Sequence, residues 1–345
     1  MRNMARNPLQ NIGDDDGWDG PYDGAQSSGP WFLPDTSDDA VQQPLPQADR
    51  TRLIDPKLWA TAQADQTAEL ADLALLYGAL EERLRAGPKG WRHRLALLEA
   101  AELSWALGDR ISAERLGLWE ALRLSGIQDD ALGLARASWA VRRLAGGAVP
   151  GQGPTLAAFL GRHGVPQEIA DFDLLAAEVQ HLHPLTRAAA LMQGWQLLGD
   201  GGVTTQMEAA VLASHIGAQM GRSEGGFVPQ AFSGAMTLQA GSAQQRLALW
   251  LRGATRATLA ALIHLDRVRE WQDRAKDKLA DLQGRTPALM VAILAEWPMV
   301  TSPMAEQIIG ANKATILRNL ALMQALGLVR EVTGQGRYRV WTAKV

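Results

Sequence analysis

Leucine and alanine recur at three- and four-residue intervals through most of this chain, the spacing that lines apolar side chains along one face of an α-helix. Between residues 53 and 145 the markers are Leu70, Leu73, Leu75 and Leu80, then Leu95, Leu98, Leu103, Leu107 and Leu116. Gly87-Pro88 interrupts this block, and the stretch 146–154, rich in Gly and Pro, closes it. A second helical block runs over 154–220. Residues 221–241 then loosen into a loop, with Gly221, Gly225, Gly226, Gly234 and Gly241. Residues 243–283 predict one long helix or two abutting ones. The first half is apolar on one side, through Leu247, Leu251, Leu259 and Leu262, and the second half is densely charged from Arg267 to Lys278. Such a helix leaves a core and connects to a separate module.

The last sixty residues carry a different order of parts. Ser302 is a suitable N-cap and Pro303 suits a first helical position, so a short helix is predicted over 303–309. Gly310 supplies a tight turn. Asn312 caps a second helix over 313–326, which Gly327 ends. In that helix Ile316, Leu320, Met323 and Leu326 face the core and leave Lys313, Thr315, Arg318 and Asn319 outside. Two strands, 328–332 and 337–341, follow around the glycine-bearing connector 333–336. Arg330, Arg337 and Arg339 line this hairpin, the last two on one face. Short helix, glycine turn, capped helix and arginine-bearing hairpin together spell a winged helix-turn-helix whose second helix reads DNA. Glu306 stands where such motifs usually place a small residue against the second helix. The fold class is therefore all-α with a small β wing. The domains are an acidic disordered tail at 1–50, a helical body at 51–285 and a winged helix at 286–345.

Composition adjusts this picture in a few places. The 345 residues hold no cysteine, which excludes disulfides, thiolate zinc sites and a cysteine nucleophile. There is no basic-then-apolar leader and no apolar run near the ~18 residues of a membrane span, so the expected location is the cytoplasm. The net charge of −3 hides a segregation. Residues 1–50 carry nine aspartates against three arginines, whereas 286–345 carry six cations against three glutamates. The run Asp14-Asp15-Asp16-Gly17-Trp18-Asp19 lacks the glutamate a calcium loop needs, so a solvated acidic tail is the reading, with Trp18, Trp31 and Phe32 as possible docking anchors. His181 and His183 have no third ligand pattern and are taken as structural, so neither a metal nor a cofactor is expected. Gly199-Asp200-Gly201-Gly202 has the glycines of a phosphate loop without its Lys-Ser/Thr. Among twelve tryptophans, Trp105, Trp119, Trp139 and Trp195 fall in apolar helical surroundings that predict core positions.

The hairpin Val332-Thr333-Gly334-Gln335-Gly336-Arg337-Tyr338-Arg339-Val340-Trp341 resembles the winged helix that follows the catalytic core in many Fic-family nucleotide transferases. Ser104-Trp105-Ala106-Leu107-Gly108 resembles that family's inhibitory helix, with Leu107 in place of its glutamate. Pro184-Leu185-Thr186-Arg187-Ala188-Ala189 resembles the helix before its active loop. The loop itself, His-Pro-Phe-x-x-Gly-Asn-Gly-Arg, has no counterpart, either at Gly199 to Gln206 or after His183-Pro184-Leu185. The chain is more similar still to helical proteins of rhizobia that carry a C-terminal helix-turn-helix and look like degenerate Fic proteins. The resemblance implies a Fic-like body without catalysis, hence a pseudoenzyme, carrying a DNA-binding module.

The expected function is binding of double-stranded DNA as a transcriptional regulator, with Lys313, Thr315, Arg318, Asn319, Arg330, Arg337 and Arg339 as contact residues. A homodimer is expected, because one winged helix covers little DNA. Two alternatives stay open at this level: a diverged Fic-type nucleotidyltransferase, and an adaptor whose winged helix contacts protein.

Overall fold

A computed structural model describes residues 54–122, 124, 128–231, 241–334 and 338–345. The proposed acidic tail, its calcium-loop run and its aromatic anchors lie outside the described residues, as does Arg337. Residues 49–345 form one contact unit.

Among the described residues nine helices precede the long one: α1 (Pro56–Asp65), α2 (Thr67–Ala86), α3 (Gly90–Ala106), α4 (Ala113–Glu120), α5 (Ala131–Ala145), α6 (Pro154–Leu160), α7 (Gln167–Glu178), α8 (Pro184–Leu198) and α9 (Val203–Ala218). Several boundaries follow from local chemistry. Asp55 accepts the Lys57 amide at 2.9 Å ahead of Pro56, which starts α1. The break at Gly87-Pro88 separates α2 from α3 as expected. His183 Nδ1 accepts the Leu185 amide at 3.2 Å and caps α8, whose first residue is Pro184. That histidine is a helix cap.

The body core forms where α8 lies on α9 and α3 on α5, with α7 behind α8. Leu103, Leu134, Leu185 and Val211 are buried there, and Leu73 is buried where α2 packs on α10. Three apolar positions depart from expectation. Leu75 and Trp105 are exposed, the latter by 53%, and Leu259 faces solvent as well. On α2 the true stripe runs Leu70, Leu73, Tyr77, Leu80, and Leu75 lies off it. Trp105 sits in the last turn of α3, where the inward positions are already taken by Leu103 and Ser104. Trp119 and Trp139 are half-buried against the core, and Trp195 is buried.

Next comes α10 (Ala243–Lys278), a single helix of 36 residues and thus ~54 Å long. Ser242 and Gln245 form a reciprocal capping box at its start. Its buried face repeats every seven residues, through Leu247, Ala254, Ala261, Val268 and Ala275, with Leu251, Thr258 and Leu265 alongside. On a straight helix a seven-residue repeat drifts by only ~20° per heptad, so the seam winds slowly along α10. The seam passes through Thr258 and Ala261, which is why Leu259 falls outside it and Leu262 only at its margin. The charged second half does not leave the core. It keeps Val268, Trp271 and Ala275 buried and carries the C-terminal elements.

Those elements are α11 (Thr286–Glu296), β1 (Val300–Thr301), α12 (Ser302–Ile309), α13 (Lys313–Ala325), β2 (Val329–Glu331) and β3 (Val340–Ala343). The sheet is antiparallel in the order β1-β3-β2, with Val300 opposite Trp341 and Arg330 opposite Thr342. Sequence patterning predicted β2 but placed the second wing strand at 337–341, about three residues ahead of β3, and it did not predict β1, which is two residues long and shows no alternation. Helix, strand, helix, helix and two-stranded wing complete a winged helix on an otherwise all-α body.

The body grips this module from α3 and from α10. Arg94 of α3, 4% exposed, donates from Nη2 to the carbonyls of Leu294 (2.9 Å), Ala295 (3.3 Å) and Trp297 (2.6 Å). These are the orphan carbonyls at the end of α11, so the guanidinium caps that helix from outside. Trp91 Nε1 adds a bond to Ala295 O at 3.2 Å, and the Gly90 amide one to Glu296 Oε1 at 3.0 Å. A Cβ at Gly90 would stand 2.6 Å from Glu296 Cγ, so this approach requires glycine. From α10, Trp271 Nε1 donates to Leu328 O at 2.8 Å, and Lys278 Nζ to Leu326 O at 3.0 Å.

Candidate nucleic-acid interface

The second helix of the winged module is held at both ends by its own sequence. Gly310 takes φ +71° after α12, the left-handed conformation that costs glycine nothing, and its amide returns to Glu306 O at 2.9 Å. Asn312 then accepts the Thr315 amide at 2.9 Å and starts α13. At the far end Gly327 is again left-handed, at φ +71°. Its amide bonds Gln324 O at 3.0 Å, and the Leu328 amide bonds Met323 O at 2.9 Å. This pair of bonds is a Schellman cap. One predicted cap moves by a residue. Thr301, rather than Ser302, accepts the Met304 amide, because Ser302 has turned inward as the first helical residue of α12.

Ile316, Leu320 and Met323 are buried, as their spacing requires, while Leu326 is half-buried at the cap. The inward small residue of α12 is Ala305, with no exposed surface, and neighbouring Glu306 is left half-exposed. The conflict raised by Glu306 is therefore resolved by rotating α12 through one position.

Opposite the buried stripe, Lys313, Ala314, Arg318, Ala321 and Ala325 are exposed. Helix α13 contains no acidic residue. Arg318 thus stands between Ala314 and Ala321, with the exposed Leu322 one turn further on, and the two alanines let the helix backbone come close to a groove while one guanidinium reaches further. Sequence reading picked the cations and passed over Ala314, Ala321 and Ala325. Their signal was available in the spacing, since each lies two residues from a buried position.

The remaining predicted contacts are placed unevenly. Thr315 and Asn319 are half-buried, and Asn319 Nδ2 donates to Thr315 O at 2.8 Å, which ties that amide to its own helix. Arg339 is half-buried with its guanidinium 5.2 Å from the Trp341 ring centroid. Arg330 turns the other way and pairs with Glu114 of α4, so it faces the body and does not join Lys313 and Arg318.

The wing is organised by one carboxylate. Glu331 accepts the amides of Thr333 (2.8 Å) and Gly334 (3.0 Å), and also the Thr333 hydroxyl. Burial alone would raise its pKa. These bonds and the charge of Arg339 outweigh burial and hold the carboxyl below its ordinary range. An ionised Glu331 therefore fixes the base of the hairpin.

Residues 286–343, which span α11 through β3, match the family model of a helix-turn-helix DNA-binding domain. No curated protein matches the chain. A C-terminal helix-turn-helix DNA-binding domain on a helical body is the architecture that sequence, fold and family model share.

Proposed function

We propose that this protein is a transcriptional regulator that binds specific double-stranded DNA sites as a homodimer in the cytoplasm. The observation that carries the reading is the exposed, acid-free face of α13 with Lys313 and Arg318, inside a segment that matches a DNA-binding family. Arg318 meets base edges in the major groove, Lys313 meets phosphate near the helix start, and Arg337 and Arg339 meet the flanking backbone. A second copy supplies the matching half-site contact, since a single winged helix buries little DNA surface.

Alanine variants test these roles. Arg318→Ala should cost about 1–3 kcal/mol of binding and relax discrimination between sites, because a lost base-edge contact removes sequence information. Arg337→Ala and Arg339→Ala should weaken all sequences alike and flatten the slope of log affinity on log salt by roughly one unit each. Folded variants with unchanged affinity and slope would hand the winged helix to a protein partner instead.

For the body, the reading is a Fic-derived scaffold without nucleotide transfer. The turn at Gly199 to Gly202, where the resemblance would put an anion cradle, is occupied by a carboxylate. Asp200 accepts the Gly202 amide (2.9 Å) and the Thr205 hydroxyl (2.6 Å) ahead of α9. Those two bonds keep it ionised at lower pH than an ordinary aspartate, so it repels a phosphate from this helix start. Incubation with labelled ATP, GTP, CTP or UTP should leave the protein unlabelled. Stoichiometric label that survives denaturation overturns this.

A further inference from the structure

The winged helix and the body do not meet flush. Between α3, α4 and α10 on one side and β2, β3 and the turn before β1 on the other lies a cavity of about 400 Å³, within the size range of small-molecule sites. Leu97, Leu98, Ala113 and Met299 give it an apolar portion. Its polar groups are unbalanced. Among the described residues Arg94, the cap of α11, meets only carbonyl oxygens, and its Nε has no acceptor. His264 of α10 also lines the cavity, and its Nε2 is buried without a partner among the described residues. Lys344 is exposed at the rim. Among the described residues of the wall the one acidic side chain, Glu114, is engaged by Arg330.

A buried guanidinium without a counter-charge is rare, because desolvation is compensated only by an anion or a full set of acceptors. Arg and Lys offer donors alone, so the group that completes this wall must be an acceptor, and a charged one forms the strongest bonds. His264 fits the same demand. Burial and the neighbouring Arg94 charge push its pKa down to about 4, so it is a neutral ring at pH 7 with one nitrogen still to be satisfied. Burial likewise lowers Arg94 to about 10, the expected cost of a cation that lacks its anion.

We propose that this cavity binds a small anionic ligand, through a phosphate or carboxylate group held by Arg94, His264 and Lys344. The ligand spans the seam, touching the body through α3 and α10 and the winged helix through the end of β3. Its binding therefore favours the docked arrangement and stabilises the folded chain by mass action. The site does not depend on the DNA-binding reading, and its test uses no DNA.

The test is calorimetric titration and thermal melting of the full chain with inorganic phosphate and, separately, succinate, each against sodium chloride of equal ionic strength. Saturable one-site binding is expected for at least one of the two, with a melting midpoint that rises with its concentration. Whichever probe binds identifies the head group. Lys344→Glu, an exposed change, should weaken binding at least about tenfold and leave the unliganded melting midpoint unchanged. Ala113→Trp, which fills the cavity from the start of α4, should abolish it. Melting shifts no larger than those of sodium chloride, or binding that survives both substitutions, would overturn the proposal.

Discussion

Trp271→Ala should lower the stability of the chain by about 3–5 kcal/mol, the usual cost of removing a fully buried tryptophan. Trp271 lies in the charged half of α10, where the sequence looks least like a core, yet it is 1% exposed. Its indole donates to Leu328 O at 2.8 Å, just past the cap of α13. The substitution therefore opens a cavity and removes one of two donors from the Leu328 carbonyl, which keeps the Lys344 amide at 3.0 Å. Denaturant unfolding measures the loss. Hydrogen exchange should show it concentrated in α11, α13 and the sheet. Trp105→Ala serves as the control, since that exposed ring should change stability by no more than about 0.5 kcal/mol. Equal losses from both tryptophans would mean that α10 does not anchor the winged helix through Trp271.

The second large effect is expected at Arg94. Three carbonyls at the end of α11 share its Nη2. Bonds to a charged donor are individually stronger than neutral ones, and a buried acceptor left empty carries its full desolvation cost. Trp91 continues to serve Ala295 when the guanidinium is removed, so not all three acceptors are lost. Arg94→Met keeps most of the side-chain volume and should cost about 2–4 kcal/mol. Arg94→Lys keeps the charge but not the planar fork, and should recover part of the loss. A methionine variant as stable as the wild type would show that α11 is held by apolar contact alone.

These grips decide which surfaces of the winged helix remain available. Arg330 and the end of β3 face the body, whereas α13 presents Lys313 and Arg318 outward. This distinction was invisible in the sequence. Arg330, Arg337 and Arg339 look alike as three arginines on one hairpin sequence, and the partner across the seam, Glu114, separates Arg330 from Arg339. A salt bridge 216 residues apart in the chain leaves no local signature.

What was legible was local. Gly310, Asn312 and Gly327 act on backbone within a few residues of themselves, so the bounds of α12 and α13 came within two residues of those observed. The buried set Ile316, Leu320 and Met323 followed from periodicity alone. The misplacements have a common cause. Leu75, Trp105 and Leu259 are large apolar residues that lie just off the buried stripe of their helices, and side-chain type was given more weight than phase. On α10 the seam is carried largely by Ala254, Thr258, Ala261 and Ala275, whose small size makes them weak markers although they allow close helix contact. The long charged run misled for the complementary reason. With a 3.5-residue repeat, one buried position in each turn is enough to keep a helix in the core, and Val268, Trp271 and Ala275 supply it.

Selection of duplexes from a random-sequence pool by the full chain, at one fixed physiological salt concentration, tests the DNA-reading role of α13 most directly. The expected result is an enriched motif that the wild type prefers over its scrambled version by about a thousandfold or more, with the preference reduced in Arg318→Ala. Recovery of a pool without a motif, or equal affinity for the motif and its scrambled version, would contradict it.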